Sequence, residues 1–484
     1  MKKNILMSAI AALSVGAASA ATLHGPANTN GLGGNEVIYI TGSTAFRSAA
    51  NGYLLSTFGA NLYASDKGDA HTTSAGNLYF TNVAAANFGG TGNVDIAVYW
   101  SGSEAGIQSV ASSTANIGLC FFDYAKIAAQ SLAATTDASG LGGSVAVVKP
   151  SGVSFTGTLN ASSTNNSTSY QKGSICFSDT AQGTSIFKKG GSLGITGATY
   201  DQVTQQIIGV SPMGFFAQSG STLTNISATT AWELFQQGHI GLNIITGNSS
   251  DTNSTIWATG RFPDSGTRLT AALVARIGTT ATLQQFHVAT NASGITALTL
   301  QQAGTVNGVS VVHGNNGEAS GGTLAGYLAQ GPIQSGFTVT DPGTDGTTPN
   351  TYTVTATNHI IAYIGVADAV GSTHYTNGTG LVPLAFDGVY GRFGVVSDYA
   401  KGSTNIDAGY TNICNGSYPY WCYEQIGVAN TSHGSSVNAY ALCNSAATAI
   451  QSYSSTNSTY SLLTPNIPLS DMKVSRSVDG GAIN

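Results

Sequence analysis

The chain has 484 residues, of which 42% are hydrophobic and only 8% are Asp, Glu, Lys or Arg, with a formal net charge of −6. A typical soluble domain carries about 25% charged residues. The length allows two domains of ordinary size, and the sparse, slightly acidic charge offers no basic patch, which argues against nucleic acid or an anionic membrane as partner.

In chain order, the first segment reads as a secretory signal (1–20). Lys2 and Lys3 start it, Ile5 to Val15 is apolar, and Ala18-Ser19-Ala20 gives a small-residue cleavage pattern. The mature chain is expected from about Ala21, in the periplasm or secreted. No later segment approaches the roughly 20 apolar residues of a membrane helix. No cysteine follows the expected cut, so no lipid anchor is expected there.

Glu36 to Thr41 reads as a strand, followed by Gly42-Ser43 and a helix from Ala45 to Phe58. Val94 to Trp100 reads as a second strand, again followed by Gly and Ser, then a helix around Ala105 to Ser112. Strand, small-residue turn and helix together aim backbone N–H groups and a helix dipole at an anion. Ala134 to Lys172 is dominated by Gly, Ser, Thr and Asn and reads as a surface insertion (about 126–172) with a hairpin at Ser144 to Phe155. A helix is expected at Tyr200 to Gln206, then a buried strand at Ile207 to Ala217 and an amphipathic helix at Ala231 to Gln237. Pro332 to Asn350 is expected to be a loop, and the polar stretch after Leu463 an accessory tail. Strands alternating with helices give an α/β class.

None of the five cysteines forms a C-x-x-C pair and the eight histidines lack ligand spacing, so neither a structural metal nor a cofactor is expected. Cys414 and Cys422 are close enough in sequence to close a small loop in an oxidising compartment; buried free thiols are the other reading. Gly190 to Gly194 (GGSLG) fits G-x-S-x-G formally but lacks the strand before and helix after that a nucleophile elbow needs. No paired carboxylates stand in an acid/base context, so catalysis is not expected.

The strongest chemical signal is Arg261-Phe262-Pro263-Asp264-Ser265-Gly266-Thr267, leading into the helix-like Leu269 to Ile277. A guanidinium offers a planar fork of donors, and Ser and Thr hydroxyls with the N–H groups of Gly266 and Thr267 meet the same anion at a helix start. An N-capping serine beside a surface arginine is the plainer alternative.

With Gly42 to Phe46, Gly102 to Gly106, Cys176 to Asp179 and Arg261 to Thr267 in this order, the chain resembles the phosphate-binding components of ABC transporters. The resemblance extends to Pro212 to Ala217, Trp232 to Gly238, Gly314 to Ala319, Ile360 to Ala369 and Ile413 to Trp421, spanning most of residues 36 to 430. It implies a two-lobed type II periplasmic binding protein fold, each lobe a mixed sheet flanked by helices, with a hinge between. The lobes would be 21–208 with 386–484, and 209–385. It further implies that Ser43, Thr44, the Ala45 N–H, Ser103 and Asp179 contact inorganic phosphate from one lobe, and Arg261, Ser265, Gly266 and Thr267 from the other. Asp179 would accept a proton carried by phosphate and absent from sulfate, with Asp123 the second choice. The protein would act as a monomer delivering phosphate to a permease complex in the inner membrane. A secreted surface or matrix protein with a repurposed fold, or a binder of another oxyanion such as sulfate, is the alternative.

Overall fold

The computed structural model describes residues 29–66, 75–113, 119–129, 144–148, 154–158, 168–193, 197–306, 308–341, 350–354, 357–369, 375–376, 379–391, 406–430, 436–453 and 466–484. The expected signal segment and most of the insertion lie outside them.

A thirteen-stranded sheet runs through the molecule. Its strands are β1 (Glu36–Gly42), β2 (Leu62–Ser65), β3 (Asn77–Ala84), β4 (Asn93–Tyr99), β5 (Ser144–Val148), β6 (Ser154–Thr158), β7 (Ile175–Ser178), β8 (Val203–Ala217), β9 (His239–Gly241), β10 (Thr255–Thr259), β11 (Asn358–Gly365), β12 (Val382–Pro383) and β13 (Trp421–Ala429). The order across the sheet is β9-β10-β11-β8-β13-β7-β1-β4-β3-β2-β5-β6, with β12 beside β8. β1 and β4 pair in parallel, as do β10 and β11, so two parallel cores sit on either side of the antiparallel β8–β13 pair.

Strands covered on both faces read as continuous apolar runs, and β1 and β11 do so. On one face of β1, Ile38 and Ile40 pack with Phe46, with Leu54 and Phe58 of helix α1 (Arg47–Phe58), and with Leu442, Ala446 and Ile450 of the C-terminal helix (Val437–Gln451). The other face, with Val37 and Tyr39, packs on Phe121 and Ile127. In the second half, Ile361 and Tyr363 face a core with Leu234 and Phe235 of the helix Ala228–Gln237, while Ile360, Ala362 and Ile364 face Leu324 and Leu328.

β8 joins the halves. It pairs with β13 up to Pro212↔Trp421 and with β11 from Met213↔Gly365 onward. The switch falls at a proline, which has no N–H to continue a ladder. A register shift between Ile207 and Gly209 adds local twist just before it.

The structure corrects three expectations and decides between two readings of the cysteines. Tyr200–Gln206 is not a helix: Val203 to Gln206 already pair with Val428, Gly427 and their neighbours as the start of β8. Pro332–Asn350 is not a loop throughout, since Ile333–Asp341 is a strand pairing with Gly294–Leu300 and Asn350–Thr353. Phe337 and Val339 are buried there, and two residues spaced by one were too weak a signal among Gly and Thr. Cys414 and Cys422 form no disulfide, Cys422 being wholly buried inside β13. Of the segment after Leu463, expected to be an accessory tail, residues 466–484 are built into the protein: Ile467 exchanges backbone hydrogen bonds with Val210, and Arg476 lies 3.7 Å over the Trp421 ring. The hairpin in the insertion is present as β5 and β6, and extends the sheet edge beyond β2.

Candidate functional site

Three loops from the first half and two from the second meet beside the β8–β13 crossing. β1 ends at Gly42, whose φ of 123° and place against Phe177 admit no side chain: a Cβ would stand 1.9 Å from the Phe177 carbonyl oxygen. Its carbonyl accepts the Gly102 N–H at 2.8 Å, which pins the turn after β1 to the turn after β4. From there helix α2 (Ser103–Ala111) starts, all nine of its residues buried.

Ser43 is fully buried; its N–H donates to the Phe177 carbonyl and its Oγ accepts the Phe46 N–H at 3.3 Å. It also bonds the buried Glu424 carboxyl, which burial and the charge of Asp179 push well above the usual carboxylate range. Ala45 is buried and Thr44 half-buried. Ser103 Oγ accepts the Asp179 N–H at 3.2 Å. Asp123 is not part of this group; its charge acts on Tyr39 and Tyr79, on the opposite face of the sheet from α1.

Asp179 follows β7 and is 2% exposed. Burial raises its carboxyl to about 6, against the opposing pull of the Ser103 hydroxyl and the Arg261 guanidinium. Its Oδ1 has no hydrogen-bond partner among the described residues. Beneath it, Glu104 is fully buried and raised by that burial to about 7, although Thr180 Oγ1 (2.7 Å), Ser185 Oγ (2.6 Å) and the Ile186 N–H (3.0 Å) all donate to it.

The second half supplies the guanidinium. Arg261, just past β10, is 2% exposed. Its Nε donates to the Glu318 carbonyl at 3.2 Å and its Nη2 to the Ala319 carbonyl at 3.1 Å, fixing the plane of the fork; Nη1 has no partner among the described residues. Arg268 braces the same loop from below, donating to the Arg261 carbonyl at 3.1 Å and to the Asn315 carbonyl at 2.6 Å.

Helix α4 (we number the helix Ala228–Gln237 as α3) runs from Gly266 to Val274. Ser265 caps it by accepting the Arg268 N–H. The two halves touch here. The Glu104 N–H donates to the Asp264 carbonyl at 3.0 Å, and a Cβ on Gly266 would stand 1.6 Å from Asp179 Oδ1 and 3.1 Å from Ser103 Cβ. Gly266 is thus the residue that lets the start of α4 lie on the Asp179 carboxylate. Thr267 is buried, and its carbonyl accepts the Tyr420 hydroxyl at 3.1 Å.

No family model matches the chain, and no curated protein does. Among solved structures it is similar to a putative phosphate ABC transporter substrate-binding protein with bound phosphate from Clostridium perfringens, at 10% identity and a TM-score of 0.33 over 85% of this chain and 92% of that one. It is also similar to an ABC-type phosphate transport receptor from Vibrio cholerae, at 10% identity and a TM-score of 0.34 over 89% of this chain and 99% of that one. A phosphate binding protein from Stenotrophomonas maltophilia shows 13% identity and a TM-score of 0.28, over 81% and 78%. With likenesses of that size, what this site can hold must be derived from its own residues.

The structure brings Ser103, Asp179, Ser265 and Gly266 into one cluster, with Arg261 close enough to act on Asp179. Ser43 sits one layer below, on Glu424. Glu424, Glu104 and Arg268 escaped the sequence reading. Each lies inside a strand or first helical turn that reads as ordinary, and only the fold places them under the site. The resemblance implied a helix at Leu324 to Leu328; its Ser320-Gly321-Gly322 start was not singled out, although small residues before Leu324 are a visible helix-start signal.

Proposed function

We propose that the protein binds a small oxyanion, inorganic phosphate, between its two halves, without transforming it. One observation carries this reading: a buried acceptor, Asp179 Oδ1, where the starts of α2 and α4 meet, and a buried donor, Arg261 Nη1, on a guanidinium close enough to act on it, both lack partners among the described residues. Leaving such groups unmade costs about 1–3 kcal/mol each, more for charged ones. A tetrahedral anion that carries a proton satisfies both, accepting from the guanidinium and donating to the carboxylate. N–H groups at helix starts supply the remaining donors. Ser43, Thr44, Ala45, Ser103, Ser265, Gly266 and Thr267 complete the proposed shell.

In this reading residues 21–208 form one lobe with the C-terminal part, and the residues from 209 to the return crossing form the other. Tyr410, Ile413 and Tyr418 share a core with Phe215 and Phe386, so we place the return crossing at about Pro419 and not at 386. Opening would bend β8 near Pro212 and the entry to β13. Export, and delivery of the anion to a membrane permease, belong to the same proposal. Among the described residues no helix is long and apolar enough to cross a membrane.

Calorimetric titration of phosphate-stripped protein with phosphate and then sulfate tests the reading. Tight binding of phosphate with weak binding of sulfate is expected, and Asp179→Asn should narrow that gap. Failure to bind either anion would sink it. The sparse charge and the Ser/Thr/Asn-rich insertion would then favour a surface or matrix protein on the same fold.

A further inference from the structure

Arg261 Nη1 also lies against a helix outside the proposed shell. This helix, α5 (Gly321–Ala329), is capped by Ser320 Oγ, which accepts the Thr323 N–H at 3.0 Å. A Cβ on Gly321 would stand 3.1 Å from Arg261 Nη1 and 2.1 Å from Asp368 Oδ2. The same Asp368 oxygen lies 3.9 Å from the Cβ position of Gly365, which in turn is 3.4 Å from Ala45 Cβ. The first turn of α5, the guanidinium, Asp368 and the loop after β1 therefore converge on one spot. Arg261 is 2% exposed and Nη1 has no partner among the described residues, so a buried cationic donor lies against a helix start whose own N–H groups favour an anion.

We propose that the start of α5 is a third helix-terminal contact for the oxyanion, and that Asp368 beside it accepts a second proton from the ligand. This rests on the oxyanion reading above and sharpens it to a chemical form. Asp368 shares the Gly321 gap with the Arg261 Nη1, and Asp179 is close enough to feel the same guanidinium. While both carboxylates are ionised, an anion can lie against both only if two of its oxygens carry hydrogen. Dihydrogen phosphate has two such oxygens, a singly protonated phosphate monoester has one, and sulfate has none. The site thus selects free phosphate over monoesters as well as over sulfate. Gly321 has no side chain because any Cβ would fill the space between the guanidinium and the carboxylate.

The test is titration calorimetry of inorganic phosphate, methyl phosphate and sulfate against the wild type, Asp368→Asn and Gly321→Ala. The wild type should prefer phosphate over methyl phosphate by at least about tenfold, roughly 1.4 kcal/mol. Asp368→Asn should shrink that preference, and Gly321→Ala should weaken phosphate binding at least about tenfold. Asp368→Asn keeps the shape of the side chain and decides the matter alone if Gly321→Ala does not fold. Variants that match a phosphate-binding wild type in affinity and selectivity would overturn the inference and leave the oxyanion reading standing. A wild type that binds none of the three anions would overturn both.

Discussion

The two walls of the proposed cleft are built from opposite chemistry. The first half offers acids and hydroxyls, with Asp179, Glu104 and Glu424 all buried and Ser43, Ser103 and Thr180 around them. The second half offers guanidiniums and helix starts, with Arg261 and Arg268 held by backbone carbonyls of the 315–319 turn. The acid wall is held in part by neutralisation, since burial lifts Asp179 to about 6 and Glu104 to about 7. The basic wall is held by directed hydrogen bonds, because a guanidinium cannot readily shed its charge. One wall therefore responds to pH and the other does not. A protein with only 8% charged residues has concentrated several of them at this seam.

Removing the basic wall should have the largest effect. Arg261→Ala is expected to lower phosphate affinity by at least about 100-fold, roughly 2.7 kcal/mol. It should also destabilise the fold, because the Glu318 and Ala319 carbonyls lose their donor at about 1–3 kcal/mol each. Calorimetry and thermal melting separate the two effects. Unchanged affinity would detach the arginine from the site.

The acid wall should show itself next, as a pH dependence of the ligand-free protein. Asp179 and Glu104 bind protons more tightly folded than unfolded, so the folded state holds the extra protons between the ordinary carboxylate range and about 6 to 7. Stability must then fall as pH rises through that window. Glu104→Gln should flatten the decline between about pH 4.5 and 7, read by melting temperature in phosphate-free buffer. An identical slope in variant and wild type would show that Glu104 is not the group responsible.

The smallest effect separates capping from ligand contact. Ser227 and Ser265 both cap helices by accepting an N–H three residues on. Ser227→Ala, remote from the cleft, should cost about 1 kcal/mol of stability and leave phosphate affinity alone. Ser265→Ala should cost a similar amount and weaken binding as well. Equal affinities for the two variants would make Ser265 a cap and nothing more.

Much of the cleft was legible before folding, because its parts are local. A strand followed by Gly-Ser and a helix start is a contiguous signal: β1 with α1 and β4 with α2 lie within two residues of the expected bounds, and α4, after the Arg261 loop, lies three residues earlier than expected. The Tyr200–Gln206 error has the opposite origin. Nothing local distinguishes Val203 to Ile207 from a helical stretch, and its strand state comes from pairing with Gln425 to Ala429, more than two hundred residues away. The C-terminal segment was misjudged for the same reason: Arg476 and Asp479 look like surface charges until Trp421 and the Ala181 N–H are set against them.

The sequence by itself determined the α/β alternation, the small-residue turns and the arginine loop, since these depend on backbone preferences and hydrogen bonds within a few residues. Only the tertiary structure decided which acids are buried, that Gly266 rests on Asp179, and that Arg261 turns its free nitrogen toward Gly321. Those facts depend on burial and on approach between distant segments, and neither leaves a mark on local sequence.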